Sequence, residues 1–299
     1  MKSLLLRFFV AFIVTTNLIT AQTKLAYNLN VGDEFKVNQI AIQDIVQDMN
    51  GQKHEMKNLL EGDFTFAIEA VNDSVYHIKF KFDRFKMVST SNLMGELFNI
   101  NTADPIEEDD IEGKLFSQLV KTDLKMIMYK NGKIKSITGS KALINNMVNA
   151  AGDFDEFTKE LMKESMKKEF SNESLAKSFE QMTYIYPSKK VAKGDTWNNK
   201  FEGDLSSENT WTLKSIKKDD VEITGQSTIT FNTIDEDLEM KLTGEMTSDL
   251  ITSFETGFVK TMKTHSVAKG NSILHNMNDL EVPTTITSNI TYKVEKHVQ

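Results

Sequence analysis

From Phe64 onward, apolar residues recur at every second position. Phe64, Phe66, Ile68 and Ala70 share one face, with Thr65, Ala67 and Glu69 between them. Asn72-Asp73, a pair that tolerates left-handed backbone, follows. Tyr76, Ile78, Phe80 and Phe82 then alternate with His77, Lys79 and Lys81. This predicts a hairpin of two long strands, each with one buried face. The apolar phase slips by one at Phe85 and Met87, which predicts a bulge or a strand passing from one packing partner to another. Met126 and Met128, Asn131-Gly132, Ile134 and Ile137 form a second hairpin pattern, and Asn-Gly is the strongest short hairpin signal. Trp211 and Leu213, Asp219-Asp220, then Val221, Ile223, Ile229 and Phe231 form a third. Leu238, Met240, Leu242 and Met246 alternate again, Glu255-Thr256-Gly257 turns the chain into a strand from Phe258 to His265, and Ile286, Ile290, Tyr292 and Val294 mark a last strand. Long alternating strands joined by short turns imply an antiparallel sheet, half covered or curled into a barrel.

Helical spacing is confined to mid-chain. Ile111, Leu115 and Leu119, and Phe116 with Val120, stand four apart. Asp153 and Glu156 read as a capping box ahead of Phe154, Phe157, Leu161 and Phe170. Lys141 to Ala150 reads as a short helix after Gly139-Ser140. Ser171 or Asn172 can cap another, bearing Leu175, Phe179 and Met182, and Pro187 bars its continuation. The helical segments thus fall near 106–121 and 140–183. A weak internal repeat sets Val31-Gly32-Asp33-Glu34-Phe35 against Lys193-Gly194-Asp195-Thr196-Trp197, each a turn entering a strand. The expected fold class is mainly β with an α insert: a large curved antiparallel sheet, half-open and barrel-like, built from two weakly related halves and packed by the mid-chain helices.

The N-terminus follows a different logic. Lys2 and Arg7 precede the apolar run Phe8 to Val14, and a polar stretch ends at Ala21-Gln22. This three-part layout is that of a secretory signal peptide over 1–21, and the run is shorter than the ~20 apolar residues a membrane span needs. The expectation is an exported protein, periplasmic or extracellular, soluble after cleavage near Ala21, with residues 22–299 as one β-rich domain and no transmembrane span.

Composition narrows the function. The 299 residues carry a net charge of −8 and no Cys, which excludes disulfide scaffolds, thiol nucleophiles, thiolate metal sites and a lipid anchor on cysteine. Arg7 and Arg84 are the only arginines, and an acidic chain so poor in the phosphate-gripping guanidinium makes a poor nucleic-acid binder.

Tyr27-Asn28-Leu29-Asn30-Val31-Gly32-Asp33, Asn131-Gly132-Lys133-Ile134, Phe179-Glu180-Gln181-Met182 leading to Tyr186-Pro187, and Val191-Ala192-Lys193-Gly194-Asp195-Thr196-Trp197 resemble an uncharacterised secreted or periplasmic β-rich family of Bacteroidota, a domain of unknown function. The resemblance spans most of the chain beyond Gln22. Its motifs are turn and core marks. It implies an exported bacterial protein and carries over no site.

Catalytic motifs do not emerge. His54, His77, His265, His275 and His297 lack the spacing of a helical zinc site. Glu107-Glu108-Asp109-Asp110 and Asp235-Glu236-Asp237 lack the alternation and central Gly of a calcium loop, and the first suits a helix start. There is no G-x-S-x-G, and Gly139-Ser140-Lys141 lacks the upstream Gly of a phosphate loop. Asp73-Ser74-Val75 has the form of a Bacteroidota O-glycan acceptor at a turn, and equally that of a plain hairpin turn. No cofactor or metal is expected. The methionines carry the remaining signal, because Met adapts to irregular apolar partners. Met126, Met128, Met147, Phe157, Leu161, Met166, Phe179 and Met182 are the candidates to line an apolar ligand, while the plainer reading of the methionines is that they fill a core. The leading expectation is a non-enzymatic protein binding a lipid or other apolar small molecule in the sheet's concavity. The alternatives are a structural module binding an envelope protein and, behind it, a glycan or peptide hydrolase with two carboxylates about 5–10 Å apart.

Overall fold

The computed structural model describes residues 22–234 and 237–297. The expected leader over 1–21 and the acidic pair Asp235-Glu236 lie outside the described residues. In chain order the elements are β1 (Glu34–Met49), β2 (Gln52–Val71), β3 (Val75–Ser91), β4 (Gly95–Asn101), α1 (Ile111–Phe116), β5 (Leu124–Tyr129), β6 (Ile134–Thr138), α2 (Ser140–Ala151), α3 (Glu156–Phe170), α4 (Asn172–Thr183), β7 (Thr196–Phe201), β8 (Leu205–Lys217), β9 (Asp220–Ile234), β10 (Leu238–Ser253), β11 (Val259–Leu274) and β12 (Leu280–His297). The strands form one antiparallel sheet in the order β6-β5-β3-β2-β1-β12-β11-β10-β9-β8-β7, with β4 also on β3. The sheet is large, curved and not closed.

The three hairpins read from the alternation are β2–β3, β5–β6 and β8–β9. The phase slip before Phe85 is a bulge: Phe64 faces Phe82 while Asp63 faces Arg84, which leaves Asp83 as the extra residue. Asp83 then accepts a hydrogen bond from the Thr65 hydroxyl at 2.5 Å. The internal repeat is one device used twice. Gly32 (φ 90°) and Gly194 (φ 91°) take left-handed backbone. Asp33 Oδ2 accepts from the Asn30 N–H at 2.8 Å, and Asp195 Oδ2 from the Ala192 N–H at 2.9 Å. Each turn then hooks a neighbouring strand by two backbone bonds, at Ile68 in the first half and at Leu213 in the second. Two residues further in, Phe35 faces Phe66 and Trp197 faces Trp211.

Two helix boundaries differ from the spacing. Asp155, not Asp153, caps α3: its backbone is extended (φ −64°, ψ 160°) and its carboxylate accepts from the Thr158 N–H at 3.0 Å. Glu156 is therefore the first helical residue and cannot close a box with Asp153. Helix α1 ends at Phe116, so the run to Val120 continues as turns. Ser171 caps α4 through the Ser174 N–H. Among the described residues no helix is long and apolar enough to cross a membrane.

Helix α4 lays Leu175, Phe179 and Met182 on the inner face of the sheet. The Phe179 ring meets Phe80 edge-on at 4.5 Å and Phe64 and Phe66 at 6.0 Å each. The chain leaving α4 holds both edges of the sheet. The Thr183 hydroxyl donates to the Gly132 carbonyl in the β5–β6 turn at 2.8 Å, and the Glu180 carboxylate accepts from the Ile134 N–H of edge strand β6 at 2.8 Å. On the other side the Trp197 indole of β7 donates to the Ile185 carbonyl at 2.8 Å, and the Asn199 amide donates to the Tyr184 carbonyl. Tyr27 completes this clasp: its hydroxyl donates to the Thr183 carbonyl at 2.9 Å and its N–H to the Lys130 carbonyl at 3.0 Å.

The clasp has a pH signature. Burial pushes the phenols of Tyr27 and Tyr186 above the ordinary value of 10, and that of Tyr292 up to about 12. Tyr27 and Tyr186 also donate buried hydrogen bonds, to the Thr183 and Gly257 carbonyls. Folding holds these groups protonated, so their stabilisation is complete below the unfolded pKa of 10 and is lost as pH rises through the folded values. Urea midpoints measured on either side of pH 10 are expected to fall on the alkaline side. The Tyr292→Phe variant is expected to lose part of that fall, and an unchanged midpoint would refute the assignment.

Candidate functional site: an apolar cleft on the concave face

The bulge at Asp83 and the α4 stripe together shape a cavity of about 570 Å³. Its sheet wall comes from inward positions of four neighbouring strands: Gln39 on β1, Leu60 and Phe64 on β2, Phe82, Phe85 and Met87 on β3, and Ile290 and Tyr292 on β12. Its helical wall comes from Phe116 in α1, Met166 and Phe170 in α3, and Leu175, Phe179 and Met182 in α4. Phe116 stacks on Phe85 at 5.5 Å and meets Phe170 edge-on at 6.3 Å, so aromatic contacts link α1 and α3 to the sheet. Glu169, exposed on α3, is the one charged residue of the lining.

The cleft adjoins a second, smaller chamber of about 120 Å³, and the two share Gln181, Ile290 and Tyr292. The smaller chamber crosses a row of polar side chains that runs across the sheet. On β7, β8 and β9 the row is Asn199, Asn209 and Ser227. Met246 on β10 is its apolar member, and Ser266 and Ser288 carry it over β11 and β12. Gln43, Asn58 and Ser89 complete it on β1, β2 and β3. Both ends of the row are internally bonded: Ser227 to Asn209 at 2.6 Å and Asn209 to Asn199 at 2.9 Å; Ser89 to Asn58 at 2.7 Å and Asn58 to Gln43 at 3.1 Å. Beyond the row lies a separate apolar cluster of Ile229, Leu242, Ala268 and Ile286.

Of the residues expected to line a ligand, Met166, Phe179 and Met182 reach the cleft. Met126, Met128 and Met147 are sealed in the core and do not line it. Phe157 and Leu161 are 73% and 57% exposed on the outer side of α3. Helix α3 turns the stripe Met162, Met166, Phe170 to the protein, and Leu161 stands one residue, about 100°, off that stripe. The sequence reading missed Leu60, Phe85, Met87 and Tyr292 as lining. The signal for Phe85 and Met87 was the phase slip, which re-aims them into the concavity. The histidines are met locally and do not converge: His54 by Gln47 and Ser91, His77 by Asn72, His265 by Asn289 and His275 by Asp279.

Fold and cleft together define a class: an open, curved antiparallel sheet, of twelve strands among the described residues, with helices laid over an apolar groove. The chain belongs to the family described as "Family of unknown function (DUF6263)", which matches residues 73–259. That span contains three of the four motif segments quoted above; Tyr27–Asp33 precedes it. No curated protein matches the chain. Among solved structures it is similar to the one described as lipid-protein interactions in lipovitellin, with a TM-score of 0.52 at 10% identity. That overlap covers 90% of this chain and 25% of the other, so this chain spans about a quarter of the lipovitellin chain. An outer membrane channel from Pseudomonas putida F1 overlaps at a TM-score of 0.24 and 8% identity over 90% of this chain and 97% of that one. The translocator domain of the autotransporter NalP from Neisseria meningitidis overlaps at 0.21 and 7% over 89% and 90%. The last two overlaps are too loose to inform the fold.

Proposed function

We propose that this is an exported, non-enzymatic binding protein that takes the hydrocarbon of a lipid, or another apolar small molecule, into the concave cleft. The cleft itself carries the reading. Its volume of about 570 Å³ sits within the roughly 300–1,000 Å³ of small-molecule sites. Its walls are mostly Phe, Leu, Ile and Met, with Tyr292, four uncharged polar residues (Gln39, Ser165, Ser178 and Gln181) and one carboxylate, Glu169. Met87, Met166 and Met182 give those walls the flexible, polarizable surface that suits chains of varying shape. Each buried CH₂ contributes about 0.8 kcal/mol, so a sixteen-carbon chain supplies on the order of 10 kcal/mol without any catalytic or charged group. The leader-like N-terminus supports export. The lipovitellin likeness supports the reading at the level of fold alone.

Native mass spectrometry of protein produced with its leader tests both parts: an N-terminus at Gln22 and a co-purifying apolar molecule are expected. Delipidated protein is expected to bind a fluorescent fatty-acyl probe. Met87→Trp, which projects a bulkier ring into the cleft, is expected to weaken that binding about tenfold or more. Thermal stability should stay close to that of the parent. Protein that never carries a ligand and ignores the probe would overturn the reading, as would unchanged binding by the Trp variant.

A further inference from the structure

Resting on the carrier reading, we propose that the smaller chamber is the seat of the ligand's head group and that this head is uncharged: an ester, amide or hydroxyl rather than a phosphate or carboxylate. Two buried hydroxyls point to it. Ser207 and Ser248 line the chamber, the residues are 5% and 2% exposed, and neither Oγ has a hydrogen-bond partner among the described residues. They lie on either side of the polar row, Ser207 on β8 and Ser248 on β10, and Ser266 and Ser288 carry the same wall on over β11 and β12. The ends of the row satisfy themselves, and of the three buried side-chain oxygens without a partner among the described residues two line this chamber, the third being Thr252 Oγ1 outside it.

Charge then selects the head group. Among the described residues the chamber's lining contains no Lys, Arg, His, Asp or Glu. An ionised head placed there would lose water and gain no counter-charge, whereas a carbonyl or hydroxyl exchanges water for serine hydroxyls at little cost. The shared residues Gln181, Ile290 and Tyr292 join the chamber to the apolar cleft, so one molecule can place its hydrocarbon in the cleft and its head on the row. Leu205 and Phe231, cross-strand partners, line the chamber beyond the row.

The experiment displaces a bound acyl probe with competitors of equal chain length: a monoacylglycerol, a primary acyl amide, a fatty-acid anion and a lysophosphatidic acid. The two neutral competitors are expected to win by about tenfold or more. Ser207→Ala/Ser248→Ala removes only unpartnered hydroxyls, so it is expected to fold as the parent does and to reduce that preference to near unity. Its affinity for an unsubstituted alkane should be unchanged. Anions binding as tightly as neutral lipids, or a preference that survives the double variant, would overturn the head-group assignment and leave the carrier reading standing. Failure of every acyl probe would overturn both.

Discussion

Gly132→Ala is expected to destabilise the protein by about 4 kcal/mol or more, a large part of the roughly 5–15 kcal/mol that holds an ordinary domain folded. Gly132 has φ 91°, which disfavours any residue with a Cβ. A methyl built there would stand 1.8 Å from the Thr183 carbonyl oxygen and 2.7 Å from the Tyr27 ring. Neither neighbour can retreat freely, because the Thr183 carbonyl is bonded to the Tyr27 hydroxyl and the Gly132 carbonyl to the Thr183 hydroxyl. Relieving the clash therefore breaks buried hydrogen bonds on top of the backbone strain. Urea unfolding followed by tryptophan emission reads this directly, since the Trp197 indole donates to the same exit segment of α4. A midpoint equal to that of the parent would remove Gly132 from the clasp.

Phe179→Ala is expected to cost about 3–5 kcal/mol, as for other large aromatic truncations in cores. The ring is the point where α4 meets the sheet, touching Phe64, Phe66 and Phe80. Its loss enlarges the cleft as well as removing contacts, so the sheet can relax only partly around the void. Calorimetric unfolding is expected to show a lower midpoint, and a saturating acyl ligand is expected to recover part of the difference by binding the folded state. A variant as stable as the parent would show that α4 is anchored elsewhere.

The hairpins were legible because alternation and turn chemistry agree within a few residues of each other: Phe64 to Phe82 around Asn72-Asp73 needs no distant information. The full length of β1 was not, since its inward positions include Gln39, Gln43 and Gln47 and its outward positions include Ile40 and Ile42. The same inversion hides much of β11 and β12, where Thr264, Ser266 and Ser288 face inward. Alternation fades where the concave face turns polar, so what concealed these strands is the row that marks the smaller chamber. Strand order was hidden for another reason: β1 pairs with β12 across most of the chain, and no local pattern records such a contact. In the helices, Phe157 and Leu161 stand four apart and imitate a buried stripe. Only packing decides that Met162, Met166 and Phe170 face inward instead.

In a closed barrel the strand ladder fixes the girth. Here the two rims, β6 and β7, meet through Thr183, Tyr184 and Ile185, a joint of side-chain bonds three residues long. None of these bonds is a rung between neighbouring strands. The gap between the rims is thus set by one seam and not by strand pairing.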